Sequence, residues 1–595
     1  MLLSSPISFS ICHFSNKSFN GAQQLKVDVR AGKRPNYLRL KCSTISEPWS
    51  SESAEVSNKS CLVNEIRKRV DAIKLMLGFM DEGVESISFS AYDTAWVALV
   101  EDVNVSGAPQ FPSSLQWIIN NQLPDGSWGD RRIFLAYDRL LCTLACVIAL
   151  RFWNVHSETS NKGLKFFREN INKLEKENRE HMTCGFETIL PALLQMAQSL
   201  SIEVPDDFPY LKEICEKRDE KLSRIPWDMI HQVPTSLLFS LESVPGLEWR
   251  KLMKLQSPDG SFLFSPSSTA FAFIQTKDEN CLTYLNNVVT KFNGGVPDFY
   301  PLDLFERMWA IDRLERLGIS RYFQQEIKEL MNYVHIFWTE KGIGWTRLLE
   351  LPDVDDTAMG FRLLRLHGYQ VSANVFENFK KGDKFFCMPG ESSESVTAMY
   401  NLYRASQLQF PGEKVLEDAK NFTTKILTEK RASNQLLDKW IIAKGLAGEV
   451  SFALDIPWYM SLPRIETRFY LEQYAGEDDV WIAKTIYRLH KVSNNIYREL
   501  GKLDFNSCQA LHRSEWERIQ EWYSECGLEQ FGLSRKKLLL EYFLAAASIF
   551  EPERSQERFA WVQTMALVET ITSTYVDQKH KSAFLHEFIH SINEG

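Results

Sequence analysis

Gln122-Leu123-Pro124-Asp125-Gly126-Ser127-Trp128 returns further along the chain as Gln256-Ser257-Pro258-Asp259-Gly260-Ser261-Phe262, one Q-x-P-D-G-S-aromatic pattern used twice. Pro-Asp-Gly makes a tight turn. The glutamine ahead of it can tie a helix end to that turn, while the aromatic packs on the neighbouring helix. A turn unit that recurs in this way signals fold rather than chemistry. The surroundings agree. From Cys61 onward helical periodicity dominates, and Val/Ile/Thr alternation is scarce. Leu140 to Leu150 is the longest apolar stretch; it is too short to span a bilayer and reads as a buried helix. Ser433 is placed to cap a helix whose Leu437, Trp440, Ile441 and Lys444 share a face and which Gly445 stops. Ser534 similarly precedes the apolar run Leu538 to Phe550. The expectation is an all-α protein with short loops.

Composition sets the outer limits. The chain has 595 residues, 44% hydrophobic and 24% charged, which is globular composition at a length suggesting three or so domains. The net charge is -9, the pI about 5.8, and no long basic run occurs, so nucleic acid is not an expected partner. An anionic substrate would need a local basic cluster against this background. The 11 cysteines are scattered, odd in number and without a C-x-x-C pair, which argues against a disulfide framework or a structural zinc site. Met1 to Ser60 is rich in Ser and Asn, carries Lys and Arg, and meets its first acid only at Asp28. That composition resembles a plastid transit peptide, with a disordered tail as the alternative.

The chemistry concentrates in Leu351-Pro352-Asp353-Val354-Asp355-Asp356-Thr357-Ala358-Met359-Gly360. Three carboxylates stand within four residues, followed by the apolar Phe361, Leu363, Leu364 and Leu366. Pro352 disfavours helix at Leu351, so a helix should begin near the acids. Like charges this close resist full ionisation, so one acid should keep its proton. A helix N-terminus pulls the other way and favours the anion. The combination describes a strong carboxylic acid that is still protonated. A solvated acidic helix start and a hard-cation site are the other readings. His586-Glu587-Phe588-Ile589-His590 matches the zinc-peptidase pattern H-E-x-x-H, but only five residues follow it, too few for a downstream third ligand.

Asp353-Val354-Asp355-Asp356-Thr357-Ala358 resembles the D-x-D-D protonation motif of plant class II diterpene cyclases, the copalyl diphosphate synthase type. Ser90-Ala91-Tyr92-Asp93-Thr94-Ala95-Trp96 resembles a segment near the start of plant terpene cyclases, and the turn repeat resembles the QW-type repeat of their α-barrels. The resemblance runs from about Glu65 to Thr574. It implies two terpene cyclase α-barrels: a β domain at 61–105 plus 312–527, and an inserted γ domain at 106–311. A truncated α domain would occupy 528–595 and a plastid transit peptide 1–60, with the chloroplast stroma as destination. The implied reaction is cyclisation of geranylgeranyl diphosphate, begun by protonation and keeping the diphosphate. The class I motif D-D-x-x-D is absent, since Asp478-Asp479-Val480-Trp481-Ile482 lacks the last acid. By resemblance Asp355 is the proton donor, flanked by Asp353 and Asp356, and Asn401 hydrogen-bonds it. Glu187, in Gly185-Phe186-Glu187, would help hold Mg2+; Lys221 and Lys439 would meet the diphosphate; Trp309 and Trp345 would line the cavity.

One departure from the family pattern bears on the product. Cyclases making ent-copalyl diphosphate hold a terminal water with a His and an Asn, and the matching positions here are Phe239 and Asp298. Phenylalanine has no lone pair and cannot be a base; its ring could instead stabilise the bicyclic cation. A cation without a nearby base lives longer, so hydride and methyl shifts can compete, leading to halimane- or clerodane-type diphosphates such as kolavenyl diphosphate. If Asp298 acts as base or orders a water, an ordinary or hydroxylated copalyl-type product results. A downstream class I diterpene synthase or another product-using enzyme is the implied partner. A truncated, non-catalytic paralogue is the competing class; losing most of an α domain would expose apolar surface.

Overall fold

The computed structural model describes residues 52–80, 86–205, 208–225, 227–388, 395–436, 441–442 and 445–574, together with residues 582, 586 and 590. Residues Lys59–Gly595 form one compact unit. It is built from α-helices; among the described residues strand occurs only in short pieces at 380–381, 384–385, 441–442, 480–482 and 486–487.

The helix Ala136–Phe152 is the centre of the first half. Ala136 through Leu150 are all buried. A helix without a polar face needs cover on every side. The helices Ala91–Ala98, Ser157–Asn170 and Phe186–Ser199 all pack against it. Each turn repeat joins two such helices in the same way. Gln122 Nε2 donates to the Gly126 carbonyl at 2.8 Å and to Thr159 O, in the first turn of Ser157–Asn170, at 2.9 Å. Gln256 Nε2 donates to Gly260 O at 2.8 Å and to Asp278, the N-cap of Glu279–Lys291, at 3.0 Å. Trp128 and Phe262 are fully buried. Gly126 and Gly260 both have φ of +89°, and a Cβ on Gly260 would meet Asn280 O at 2.2 Å, so only glycine closes this turn.

In the second half, Asp303–Arg316 packs on Gln324–Ile336 and Val354–Leu366; the latter packs on Val396–Ser406, which continues to Lys414–Ala432. The continuous helix Asp303–Arg316 carries the chain across the expected boundary at 311/312. Ala91–Ala98, expected to belong with the second half, packs on Pro112–Asn120, Ala136–Phe152 and Pro266–Thr276. Trp96 meets Phe271 edge-on, and Trp153 Nε1 donates to Ala98 O at 2.7 Å.

Ser534 caps Arg535–Ser548 as expected, its side chain accepting from Lys537 N. Ser433 does not start a helix. It ends Lys414–Ala432, its hydroxyl donating back to Glu429 O at 2.9 Å. Ile441 and Ile442 are strand, paired antiparallel with Trp481 and Val480; Leu437, Trp440 and Lys444 of the expected helix lie outside the described residues. Gly445, with φ of +102°, opens the helix Leu446–Asp455 rather than closing one. Leu539, Leu540 and Phe543 of Arg535–Ser548, and Trp561, Leu567 and Val568 of Ser555–Thr574, are exposed.

Candidate active site

Asp353 is the N-cap of Val354–Leu366, accepting from Asp356 N at 2.8 Å, and Val354 N is tied to Cys387 O at 2.9 Å. The helix therefore starts at the acids, as Pro352 demands. The three carboxyls then part company. Asp353 spends its side chain on the cap. Asp356 is buried with Oδ1 unpaired, and burial, with Asp353 and Asp355 adding repulsion, pushes its carboxyl well above the usual range. Burial thus favours the protonated form of Asp356. Asp355 is only partly buried and accepts a 2.7 Å hydrogen bond at Oδ1 from Asn401 Nδ2. Asp355 and Asn401 come from different helices, Val354–Leu366 and Val396–Ser406, so the pairing expected from resemblance is a tertiary contact.

A hairpin that the sequence reading passed over organises the other end. Val480–Ile482 and Ile486–Tyr487 pair antiparallel, Trp481 facing Tyr487. Their connection, Ala483-Lys484-Thr485, touches three expected site segments. Ala483 O accepts from Cys184 N at 2.8 Å, beside the Gly185-Phe186-Glu187 helix start. Lys484 Nζ donates to Phe239 O at 2.9 Å and lies 4.6 Å from the centre of the Phe239 ring. Thr485 N donates to Asp298 Oδ1 at 3.1 Å, and its hydroxyl donates to Oδ2. Phe239 and Asp298 are therefore brought to one place by this turn. Lys484 is fully buried, its ammonium 3.1 Å from Glu242 and 3.5 Å from Asp93. A buried charge needs such partners. The signal was present: one lysine inside the apolar run Val480 to Tyr487. Asp298 has no exposure, and burial, with Asp93 adding repulsion, pushes its carboxyl up to about 8.

Between the two ends lies an aromatic lining. Phe299 meets Phe239, Trp345 and Tyr487 edge-on, with ring centres 6.3, 6.3 and 5.2 Å away. Trp309 stacks on Phe305 at 4.0 Å, and Phe305 meets Trp481 edge-on at 5.6 Å. Leu304 N and Phe305 N both donate to Trp345 O, which ties Trp345 to the first turn of the helix that carries Trp309. Trp309 and Asn401 also border a cleft that Asp312, Arg313 and Arg404 line, so this part of the interior is charged as well as aromatic.

Glu187 stands in the first turn of Phe186–Ser199 and pairs with Lys221, in the last turn of Pro209–Ser223. Lys439 lies outside the described residues, as do Glu587, Phe588 and Ile589 of the H-E-x-x-H stretch. Among the described residues no group of three or more His, Cys, Asp or Glu is placed to hold a metal. Glu187 offers one carboxylate beside a cation. Magnesium keeps water and can take a single carboxylate when phosphate oxygens complete its shell, so Glu187 would serve only with a bound diphosphate.

Residues 248–454 match the family model for the terpene synthase N-terminal domain. A chloroplastic (-)-kolavenyl diphosphate synthase of Tripterygium wilfordii is 60% identical over 543 residues, 91% of this chain and 66% of that protein. A chloroplastic ent-copalyl diphosphate synthase of Salvia miltiorrhiza is 56% identical over 570 residues, 93% of this chain and 72% of that one. The crystal structure of ent-copalyl diphosphate synthase from Arabidopsis thaliana, in complex with (S)-15-aza-14,15-dihydrogeranylgeranyl thiolodiphosphate, matches with a TM-score of 0.84 at 55% identity, covering 88% of this chain and 76% of that one. The chain thus spans about two thirds of the kolavenyl relative's length. At this identity and coverage, with the fold in common, the chain belongs to the copalyl diphosphate synthase family of plant class II diterpene cyclases.

Proposed function

We propose that the chain is a plastid class II diterpene cyclase that turns geranylgeranyl diphosphate into a bicyclic diphosphate. The observation that carries this reading is Asp355, placed in the first turn of a mostly buried helix and held at 2.7 Å by the Asn401 amide. In the proposed step the Asp355 O–H bond breaks and a C–H bond forms at the terminal alkene carbon. The carboxylate is left behind, and the tertiary cation closes two rings. Loss of a proton ends the cascade, so substrate and product have the same composition. Aromatic faces such as Trp309, Trp345 and Phe299 suit a passing positive charge and a site that excludes water. The substrate class is supported by the geranylgeranyl analogue named with the Arabidopsis relative, and the plastid by the chloroplastic names of both relatives quoted above.

Glu187 would hold Mg2+ together with the phosphate oxygens of the substrate, and Lys221, with Lys439, would supply point charge. Bound magnesium would supply charge neutralisation at the diphosphate. We read the chain as two α-barrels, the helix Ala91–Ala98 standing with the first of them.

For the product we favour a rearranged, kolavenyl-type diphosphate. Phe239 cannot take a proton, and both oxygens of Asp298 are engaged by Thr485, which makes Asp298 a poor substitute base. The Lys484 ammonium near the Phe239 ring modifies the earlier expectation for that side chain. With one cation already against it, the ring acts as an inert wall more than as a cradle for a second. The ordinary copalyl-type product remains the second reading, because a carboxyl does stand beside Phe239. Incubation with geranylgeranyl diphosphate and magnesium, dephosphorylation and identification of the alcohol tests both. A clerodane-type alcohol supports the reading, a labdane-type alcohol overturns the product assignment, and unconverted substrate overturns the activity. A class I diterpene synthase, or another enzyme consuming an allylic or rearranged diphosphate, would use the product.

A further inference from the structure

Three helices converge behind the Asp355–Asn401 pair. Asp355 and Arg362 stand two turns apart on Val354–Leu366; Asn401 and Arg404 stand one turn apart on Val396–Ser406; Asp312 comes from Asp303–Arg316. Arg404 Nη2 donates to Asp312 Oδ1 at 2.7 Å, and Arg362 donates to the same oxygen. Arg404 Nη1 reaches Asp312 Oδ2 and Asn401 Oδ1, each at 3.4 Å. Asp312 is almost wholly buried, so two guanidiniums hold an anion that has no water to turn to. A contiguous hydrogen-bonded chain runs from Asp312 through Arg404 and Asn401 to the carboxyl of Asp355.

An amide has two faces, and they do opposite things to a neighbouring acid. With its NH2 toward Asp355, Asn401 donates to Oδ1, and the acidic proton is left to Oδ2. With its carbonyl toward Asp355, it would accept that proton and hold it in a hydrogen bond away from any alkene. A guanidinium has donors and no acceptor. Arg404 therefore tolerates only the Asn401 carbonyl facing it, which turns the NH2 to Asp355. Asp312 in turn stops Arg404 from swinging away.

Resting on the reading of Asp355 as the acid, we infer that Arg404, anchored by Asp312, is a positioning residue that sets the orientation of the Asn401 amide and thereby directs the proton of Asp355 toward the substrate. It is linked to Asp355 through Asn401. Its effect passes through Asn401 alone, and this separates it from a merely structural arginine.

The test is a double-mutant cycle on the full chain with geranylgeranyl diphosphate and magnesium, comparing R404M, N401A and R404M/N401A. R404M leaves Asp312 paired with Arg362. The expected result is at least a tenfold loss of kcat in R404M with KM within twofold of the unaltered protein. In the N401A background, R404M should cause no further loss. If kcat is unchanged in R404M, or if its loss multiplies with that of N401A, the inference is overturned. Should R404M not fold, R404L takes its place under the same two criteria, since it too offers Asn401 no donor. D355N separates the inference from the reading beneath it. If D355N still cyclises, Asp355 is not the acid. If D355N is inactive while R404M is normal, only the role of Arg404 fails.

Discussion

Replacing Phe239 by histidine puts a base where the chain has none, and the structure says in which state that base would stand. The Lys484 ammonium lies 4.6 Å from the ring centre. At an effective dielectric near 20, a bare positive charge at that distance would cost about 3.6 kcal/mol against protonating the imidazole, a ceiling that the carboxylates of Glu242 and Asp93 beside Lys484 lower. A group that ordinarily titrates near 6.5 is then biased toward its neutral form. A neutral imidazole can take the proton of the first bicyclic cation, directly or through a water, before any shift occurs. Protonation by Asp355 is untouched, so turnover should stay within about threefold, while unrearranged copalyl-type product should rise to at least half of the total. Gas chromatography with mass spectrometry of the dephosphorylated products, wild type against F239H, reads the ratio directly. A soluble, active F239H whose product ratio does not move would refute the reasoning, as would a wild type that already makes only unrearranged product. In that second case Asp298 becomes the first candidate for the base.

Three further outcomes are expected. Asp355→Asn should abolish cyclisation, by at least a thousandfold, with an unaltered circular dichroism spectrum, because an amide is far too weak an acid and the site is only partly buried; near-normal turnover would remove Asp355 from its role. Glu187→Ala should raise the magnesium concentration for half-maximal rate about tenfold while leaving Lys221 half in solvent, and an unchanged magnesium dependence would place the metal elsewhere. Stability should fall as pH rises. The folded state holds a proton on Asp298 up to about 8, whereas an unfolded aspartate releases it near 3.8. The stability that this proton contributes is therefore whole below about 4 and lost by about 8, with a slope up to about 1.4 kcal/mol per pH unit. Glu306, pushed up to about 7 chiefly by burial, acts in the same sense. Thermal unfolding at pH 6 and pH 9 should show a smaller drop in Tm for D298N than for the wild type; equal drops would contradict a protonated Asp298.

What could be read from the sequence was governed by neighbours along the chain. Pro352 sets where a helix can begin, and Asp353 caps it with its own side chain, so the start of Val354–Leu366 was predictable to the residue. The paired turns closed as expected because proline, glycine and the Asp-Ser contact all act within seven residues. Leu140 to Leu150 had to be buried because it offers no polar face. Ser433 shows where local reasoning stops. Its hydroxyl serves equally well to cap a new helix or to close the old one, and pairing of Ile441 and Ile442 with a strand some 40 residues on decided between them. The same limit applies to the site. Repulsion among three acids was visible, but the burial that pushes the Asp356 carboxyl up was not. Lys484 meets Asp93, Glu242 and Phe239, and Arg404 meets Asp312, across 92 residues or more. A buried charge is tolerable only where the fold delivers its partners, and no spacing along the chain records that delivery. The sequence by itself determined the helices, the turns between them and the presence of an acid. Tertiary packing alone decided which partners each buried polar group meets.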